Sequence, residues 1–326
     1  MRYRILGRTG FRVSEIGYGA WGIAGDWWKG GTDEEALTSL NLAIDLGVNF
    51  IDTALGYGEG HSERLIGQVV RSRSERVYVA TKIPPKNFIF PAKPGTPLEE
   101  AFPKDWIIEC TEKSLRNLGL ERIDLQQFHV WLDEWADNDE WKEAVTKLKE
   151  QGKIAAFGLS LNFPFPPEEP DYPQKAIRTG LIDTCMAVYN IYEQGPEEKL
   201  FPLAMEENVG IIARCPLDEG ALTGKITPET VFPEDDWRNE YFRGDRKREV
   251  CERAQALRWL IHGDVESLAE AALRFCLSHP AVSTVIVGMR RPEHARANAR
   301  ASDKGPLPKE DLERLKEHAW HHNFWV

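Results

Sequence analysis

The feature that most constrains the fold is a regular alternation of short β-rich runs with amphipathic runs along the whole chain. Runs rich in β-branched and aromatic residues are bounded by turn residues, and apolar residues at helical spacing follow each of them. The predicted strands are 14–20, 49–54, 77–83, 123–129, 154–161, 183–190, 209–216 and 284–289. The predicted helices are 33–46, 62–73, 105–118, 140–151, 173–179, 199–208, 267–279 and 292–300. Such alternation makes right-handed βαβ units and a parallel sheet, so eight units predict an α/β protein with a (β/α)8 TIM barrel.

Four segments fall outside this repeat. Residues 2–13 carry a glycine-bounded turn between two short apolar runs, which predicts an N-terminal hairpin that could close the bottom of the barrel. The charged stretch 218–263 predicts a mobile loop with one helix, and the proline-rich stretch 84–103 predicts an extended excursion. The tail 309–322 has the pattern of one further amphipathic helix. No linker divides the chain, so we expect residues 1–326 to form a single domain.

Charge and cysteine content limit the function classes. The net charge of −11 argues against a nucleic-acid or anionic-membrane partner. The N-terminus is polar and has no signal-peptide pattern, and no apolar run is long enough to span a bilayer. Five cysteines without C-x-x-C spacing favour reduced thiols. These observations together predict a cytoplasmic protein.

Polar residues at successive strand ends predict a proton-transfer site. Asp52, Lys82 and His129 end the second, third and fourth strands, and Tyr57 follows Asp52 by five residues. The carboxyl ends of barrel strands converge on one mouth, so these side chains should meet there. A tyrosine alone is a poor acid, with a pKa of about 10, but a nearby ammonium held by a carboxylate should lower that value. Such a site can protonate a carbonyl oxygen while a bound hydride donor attacks the carbon.

Each of the four residues alone also has an ordinary structural explanation. Asp52 could cap a strand end, and Lys82 could be a surface charge. Tyr57 could anchor a loop, and His129 could be a barrel residue whose ring nitrogens have ordinary hydrogen-bond partners. The functional interpretation rests on all four occurring at these positions together.

Six stretches in order along the chain resemble the aldo-keto reductase superfamily. They are GVNFIDTALGYGEGHSERLIG (47–67), VYVATK (77–82), LERIDLQQFH (120–129), KIAAFGLS (153–160), PLDEGALTGK (216–225) and STVIVGMRRPEHARAN (283–298). The resemblance implies that Tyr57 is the proton donor, that Lys82 and Asp52 support it, and that His129 orients the carbonyl. It also implies a nicotinamide cofactor and a small-molecule aldehyde or ketone as substrate.

The cofactor is expected to lie extended across the barrel mouth. Two glycines in 216–225 would let backbone amides approach the pyrophosphate, and Arg290 at a helix start would suit a 2′-phosphate, so NADPH is favoured over NADH. The resemblance places the end of the first strand on the nicotinamide side. The predicted cofactor-binding residues are Ala20, Trp21, Asp52, Ser160, Asn162, Arg214, Pro216, Leu217, Gly220, Leu222, Lys225, Gly288, Arg290, His294 and Asn298.

Three positions depart from the family pattern. The family often has adjacent Ser-Asn to bind the nicotinamide carboxamide, whereas Ser160 and Asn162 are two apart here and could share one strand face. Met186 stands where the family usually has a glutamine. Arg214 stands where an aromatic ring often stacks on the nicotinamide, and a guanidinium could lie flat there instead.

Other motifs are weaker. Residues 17–22 match G-x-G-x-x-G, but no helix is predicted to open there, so a Rossmann site is disfavoured. Tryptophans in the first loop and after His129 could line a carbonyl pocket or pack within loops. His318, His321 and His322 have helical i, i+3, i+4 spacing but no carboxylate nearby in the tail, so we expect no metal site.

Two competing functions remain open at this level. Lys82 could form a Schiff base in a class I aldolase-type barrel, although Asp52 beside it would keep the amine protonated. The chain could also be a nicotinamide-binding regulatory subunit, as some relatives in the family are. The oligomeric state and the physiological carbonyl compound do not follow from the sequence.

Overall fold

Ten strands organise the protein, whose computed structural model describes residues 1–162 and 172–325. The strands are β1 Tyr3–Ile5, β2 Arg12–Ser14, β3 Ile16–Gly19, β4 Phe50–Asp52, β5 Tyr78–Ile83, β6 Ile123–Phe128, β7 Ile154–Ser160, β8 Thr184–Val188, β9 Gly210–Arg214 and β10 Val282–Gly288. Strands β3 to β10 pair in parallel and in chain order, and β10 closes on β3. The predicted (β/α)8 TIM barrel is therefore confirmed, and each predicted barrel strand overlaps an observed one.

Helices follow the barrel strands as the amphipathic spacing predicted. They are α1 Asp33–Asp45, α2 His61–Ser72, α3 Leu98–Ala101, α4 Lys104–Leu118, α5 Asp139–Glu150, α6 Gln174–Arg178, α7 Leu200–Glu206, α8 Arg238–Tyr241, α9 Arg246–Ala256, α10 Leu268–Ser278, α11 Pro292–Lys304 and α12 Lys309–Leu315. Within the described residues, no helix is long and apolar enough to cross a bilayer.

The helix α1 shows how local sequence sets a boundary. The Thr32 hydroxyl accepts a hydrogen bond from the Glu35 amide, and the Glu35 carboxylate accepts one from the Thr32 amide. This reciprocal capping satisfies two of the amide donors that a helix start leaves open. The first loop of the barrel mouth, between β3 and α1, therefore ends at a fixed point.

Strand periodicity separates two apolar regions. Inward-facing residues fill the barrel, and the hairpin of β1 and β2 adds Leu6 and Val13 to this interior cluster. The other strand faces pack against the helices. The Arg4 guanidinium also donates to the carbonyls of Leu277 (2.7 Å) and Val282 (2.8 Å), near the start of β10. The hairpin thus covers the N-terminal end of the barrel, as predicted.

Three expectations outside the repeat require correction. The stretch 218–263 contains two α-helices, α8 and α9, where one was predicted. The proline-rich stretch 84–103 is interrupted by the short helix α3. The tail helix was predicted to reach residue 322, but α12 ends at Leu315 and a 3-10 turn ends at His318.

The tail leaves the helix because its aromatic residues pack elsewhere. The Trp320 amide donates to the Tyr192 carbonyl (2.8 Å), and the Trp320 ring stacks on His322 with 4.1 Å between centroids. The tail then continues to Trp325 at the C-terminal mouth of the barrel. Packing of these rings stabilises a non-helical conformation of the tail, which the helical spacing of its residues does not predict.

Candidate active site

The ends of three strands and one turn bring the four predicted residues together. Lys82 Nζ donates to Asp52 Oδ2 at 2.6 Å and lies 3.4 Å from the Tyr57 hydroxyl. The rings of Tyr57 and His129 meet edge to face with 5.7 Å between centroids. The arrangement arises because Asp52 and Lys82 face the inside of the barrel on adjacent strands, and His129 directly follows the neighbouring β6.

A tight turn before α2 positions Tyr57. The Tyr57 amide donates to the Ala54 carbonyl at 3.0 Å, and the Gly58 that follows has a φ of +59°. A Cβ atom on Gly58 would lie 2.6 Å from the Ala24 carbonyl oxygen, so a larger residue would push the turn outward. Glycine at this position keeps the phenol close to the ammonium.

Lys82 and Asp52 form a buried ion pair with opposing influences on each pKa. Both side chains are almost fully buried. Burial raises the pKa of Asp52 and lowers the pKa of Lys82, and their mutual attraction counteracts both shifts. A third bond fixes the ammonium, because Lys82 Nζ also donates to the Thr53 carbonyl at 2.8 Å.

The expected acidification of Tyr57 is wrong for the protein on its own. Burial raises the pKa of Tyr57 well above its usual value, and the Asp52 carboxylate raises it further. Lys82 holds its charge closer to Asp52 than to the phenol, so it does not offset these effects. Tyr57 therefore stays protonated at neutral pH and can donate only to a strong base, such as an oxygen that becomes an alkoxide.

His129 is held as a neutral imidazole. Burial lowers its pKa well below the usual value, and the positive charges of Lys82 and Arg214 lower it further. Its Nδ1 is buried and has no hydrogen-bond partner among residues 1–162 and 172–325. The ring packs edge-on to Phe90 at 5.1 Å. A neutral imidazole beside the phenol can hydrogen-bond the same acceptor oxygen.

Gln127 belongs to the same cluster, although sequence reasoning missed it. Its Nε2 donates to Asp52 Oδ1 at 3.2 Å, so each carboxylate oxygen of Asp52 has its own donor. Its Oε1 is buried and has no partner in the described part of the chain. The period-two spacing from His129 was the available signal, because residues two apart on a strand share a face.

Ser160 and Asn162 lie at the end of β7, beside this cluster. Asn162 Nδ2 donates to the Trp131 carbonyl at 2.7 Å, while its Oδ1 is buried and unpaired within the residues described. Met186 is fully buried in the barrel interior with Ile212, so it presents an apolar surface where the family usually has an amide.

Arg214 ends β9 on the inner face of the barrel. Its Nη2 donates to the Leu161 carbonyl at 3.2 Å, and its guanidinium lies over the ring of Trp325, 5.8 Å from the centroid. Trp21, which follows β3, stacks on Tyr57 with 6.3 Å between centroids. Ala20 precedes Trp21, and its amide donates to the Asp52 carbonyl at 2.9 Å.

The loop 216–225 adopts a series of tight turns. The amides of Gly220 and Leu222 both donate to the Leu217 carbonyl, and the Gly224 amide donates to the Ala221 carbonyl. These three amides are therefore engaged within the loop, whereas the two glycines had suggested amides that approach the pyrophosphate. Pro216 and Leu222 are buried, while Lys225 at the end of the loop is exposed.

The end of β10 and the start of α11 bring together four of the predicted cofactor-binding residues, Gly288, Arg290, His294 and Asn298. Arg290 is half-buried, and its Nη1 donates to the Lys29 carbonyl at 2.6 Å. Asn298 Nδ2 donates to the Gly288 carbonyl at 3.3 Å, and His294 is half-buried one turn before it. Gly288 is exposed, and no atom lies within 4 Å of the position its Cβ would take.

The tryptophans divide between the two expected roles. Trp21 lines the mouth and contacts the rings of Trp237 (5.2 Å) and Trp325 (6.1 Å). Trp131 and Trp135 are buried against each other and the surrounding core, so they pack loops rather than line a pocket.

The tail histidines do not share a helical face, because the helix ends before them. His321 Nδ1 lies 3.1 Å from Glu193 Oε2, and His322 Nε2 lies 3.3 Å from Asp218 Oδ1. The expected lack of a nearby carboxylate is thus wrong. Within the described ranges, no group of three His, Cys, Asp or Glu side chains is arranged to hold a metal ion.

The chain resembles known proteins of one family over almost its whole length. A family model described as "Aldo/keto reductase family" matches residues 15–319. The chain is 33% identical over 305 residues to the aldo-keto reductase YhdN of Bacillus subtilis, covering 91% of this chain and 87% of that protein. It is 27% identical over 306 residues to the NADH-specific methylglyoxal reductase of Escherichia coli, covering 91% and 92%. The glycerol dehydrogenase AKR11B4 of Gluconobacter oxydans superposes with a TM-score of 0.77 at 28% identity, covering 97% of this chain and 94% of that chain.

Proposed function

Because the chain belongs to the aldo/keto reductase family, we propose that it reduces aldehydes or ketones with NADPH and that Tyr57 donates the proton. Members of this family are nicotinamide-dependent oxidoreductases that act on small carbonyl compounds, and the chain is an enzyme of this kind. The observation that carries the finer proposal is the contact of the Tyr57 hydroxyl with the buried Lys82–Asp52 pair.

The four residues have separate tasks in this proposal. The Tyr57 hydroxyl and the neutral His129 ring hydrogen-bond the carbonyl oxygen and polarise it. As negative charge develops on that oxygen, the Tyr57 proton moves to it, because an alkoxide is a stronger base than a phenolate. Lys82 then lies 3.4 Å from the phenolate oxygen and stabilises its charge, while Asp52 and Gln127 keep the ammonium in place.

Residues at the carboxyl ends of β7 and β10 fit a nicotinamide dinucleotide. The bound reduced nicotinamide would supply the hydride. Its carboxamide N–H groups would meet the buried Asn162 Oδ1, an acceptor with no partner in the residues described, and Ser160 lies beside it. The exposed Gly288 would let a phosphate or ribose approach the backbone closely.

The preference for NADPH rests on the charges after β10. Arg290 uses one of its five N–H donors on the Lys29 carbonyl, and the remaining donors can bind a 2′-phosphate bidentately. Arg291 is exposed at the start of α11 and adds a second positive charge. The NADH-specific relative from Escherichia coli shows that this preference varies among similar proteins.

The experiment that tests this function follows NADPH and NADH absorbance against a panel of aldehydes and ketones. We expect turnover with several carbonyl compounds and a lower KM for NADPH than for NADH. Arg290→Leu should reduce the NADPH preference by about tenfold to a hundredfold, since a hydrogen bond to a charged group contributes roughly 1.5–3 kcal/mol. Tight NADPH binding with no turnover across the panel would favour the regulatory-subunit function instead.

A further inference from the structure

We propose that a protonated His322 fastens the C-terminal tail to the loop 216–225, so that one side of the barrel mouth loosens when His322 loses its proton. The inference goes beyond the proposed function and does not depend on it, because it concerns how the rim of the mouth is held together. It assigns a positioning task to a side chain that the proton-transfer cluster does not contain.

The two ring nitrogens of His322 both face hydrogen-bond acceptors. Its Nδ1 lies 2.9 Å from the Trp320 carbonyl oxygen, and its Nε2 lies 3.3 Å from Asp218 Oδ1. A carbonyl and an ionised carboxylate accept hydrogen bonds but cannot donate them, and a neutral imidazole carries only one N–H group. Both contacts are therefore hydrogen bonds only when the ring carries two protons and a positive charge.

Burial of this contact makes the proton important for the structure. His322 is 8% exposed and Asp218 is 3% exposed. Burial lowers the pKa of His322, but the charge of Asp218 and the two hydrogen bonds raise it, and the pKa lies above its usual value of 6.5. A histidine whose pKa is raised in the folded state stabilises the folded tail below the unfolded-state pKa, and this stability is lost as the pH rises through the folded-state pKa. The loss leaves the buried Asp218 carboxylate beside a neutral ring.

The contact joins two segments of the mouth that are far apart in the sequence. Asp218 lies in the loop 216–225, which follows β9. Three residues beyond His322, the ring of Trp325 lies 6.1 Å from the ring of Trp21, measured between centroids. Deprotonation of His322 therefore weakens the hold on the segment that carries Trp325 to the mouth.

The charged and titratable groups around His322 belong to the tail and to four other parts of the chain. They are Tyr192 and Glu193 after β8, Asp218 in the loop 216–225, Tyr241 on α8, Arg246 and Arg253 on α9, and His321 in the tail. Burial raises the pKa of both tyrosines, and arginine keeps its charge, so these four side chains do not titrate between pH 6 and pH 9. Burial also raises the pKa of Glu193, which accepts a hydrogen bond from the His322 amide at 2.8 Å. The variants below separate the titration of Glu193 and His321 from that of His322.

An NMR titration of the whole chain with isotope-labelled histidine measures the pKa of His322 directly. The ring is identified by its nuclear Overhauser contacts with Trp320, which stacks on it with 4.1 Å between centroids. We expect a midpoint above 6.5, and Asp218→Asn should lower it because the opposite charge is removed. A wild-type midpoint at or below 6.5 would overturn the inference, whether or not the variants fold.

Hydrogen exchange of the C-terminal peptide, corrected for the intrinsic effect of pH, measures how firmly the tail is held. The Trp320 amide is bonded to the Tyr192 carbonyl, and the His322 amide is bonded to Glu193. Between pH 6 and pH 9 we expect the corrected exchange of the wild type to rise about tenfold to hundredfold, the effect of losing one hydrogen bond to a charged group. His322→Gln should exchange at the fast rate at both pH values, whereas His321→Gln should keep the dependence on pH.

Two results of the exchange experiment would contradict the inference. Corrected exchange that does not change with pH in the wild type would show that the aromatic contacts alone hold the tail. A dependence on pH that persists in His322→Gln would assign it to Glu193 or His321 instead. The measurements need neither cofactor nor substrate, so their outcome is distinct from a failure of the proposed function, which turnover measures.

Discussion

Removing Lys82 should destabilise the protein strongly, and removing Asp52 at the same time should restore most of that stability. Lys82→Met leaves the Asp52 carboxylate buried at 2% exposure without its ammonium. Breaking a buried pair from one side costs about 3–5 kcal/mol, a large share of the roughly 5–15 kcal/mol that stabilises a typical protein. Replacing both partners by neutral groups of similar size is often close to neutral, so Asp52→Asn/Lys82→Met should regain most of the loss.

The pH dependence of the single variant has a definite sign. Burial raises the folded-state pKa of Asp52 above its usual value of 3.8, and removing Lys82 removes the largest opposing effect. A carboxyl group whose pKa is higher in the folded state than in the unfolded state stabilises the fold at pH values below its unfolded-state pKa. This stability is lost as the pH rises through the folded-state pKa. The stability deficit of Lys82→Met should therefore be small near pH 4 and grow toward pH 7.

Urea unfolding followed by tryptophan fluorescence, at several pH values between 4 and 7, measures both effects. The double variant should approach wild-type stability and still lack turnover, because the phenolate would have no cation beside it. A single variant that loses less than about 1 kcal/mol would contradict this description of the pair. A double variant as unstable as the single one would contradict it equally.

Three further predictions concern the surroundings of the pair and the helix layer. Gly67→Ala should destabilise the protein by about 1–3 kcal/mol in urea unfolding, because the Cβ of the alanine would lie 2.2 Å from the Leu118 carbonyl oxygen. The control is Gln68→Ala on the exposed face of the same helix, which should leave the stability nearly unchanged. Glu63 is buried and its pKa is raised, so the wild type should lose stability relative to Glu63→Gln as the pH rises above 4.5. Parallel profiles of unfolding free energy against pH for the two proteins would refute this. Gln127→Leu removes a donor to Asp52 Oδ1, so we expect kcat to fall about tenfold with cofactor affinity unchanged, and an unchanged kcat would rule out a supporting role.

The barrel and its proton-transfer cluster were predictable because both follow from periodicity. Eight β-rich runs alternating with amphipathic runs allow few topologies, and the carboxyl ends of parallel strands meet at one mouth. Asp52, Lys82 and His129 could therefore be assigned to one place from their positions at strand ends alone. The spacing of Tyr57 after Asp52 was compatible with a turn, and Gly58 supplies the φ of +59° that the turn requires.

Properties that depend on tertiary burial were not predictable in the same way. The pKa of Tyr57 is raised rather than lowered, because desolvation of the phenol and the negative charge of Asp52 outweigh the nearby positive charge. Trp325 reaches Trp21 at the mouth across almost the whole sequence, and no local pattern specifies that contact. In the loop 216–225 the glycines suggested free amides, but the turns they permit engage several of those amides internally.

The most direct test of the central claim is the turnover of Tyr57→Phe with saturating NADPH and a good carbonyl substrate. Phenylalanine preserves the ring that contacts Trp21 and His129 and removes only the hydroxyl. We expect kcat to fall by about 10²–10⁴-fold, the usual contribution of a positioned general acid, while NADPH affinity stays within about twofold. Tyr3→Phe, which removes a hydroxyl bonded to the Gly47 carbonyl at 3.0 Å, should keep full activity. Retention of more than about a tenth of the wild-type kcat in Tyr57→Phe would contradict the assignment of Tyr57 as the proton donor.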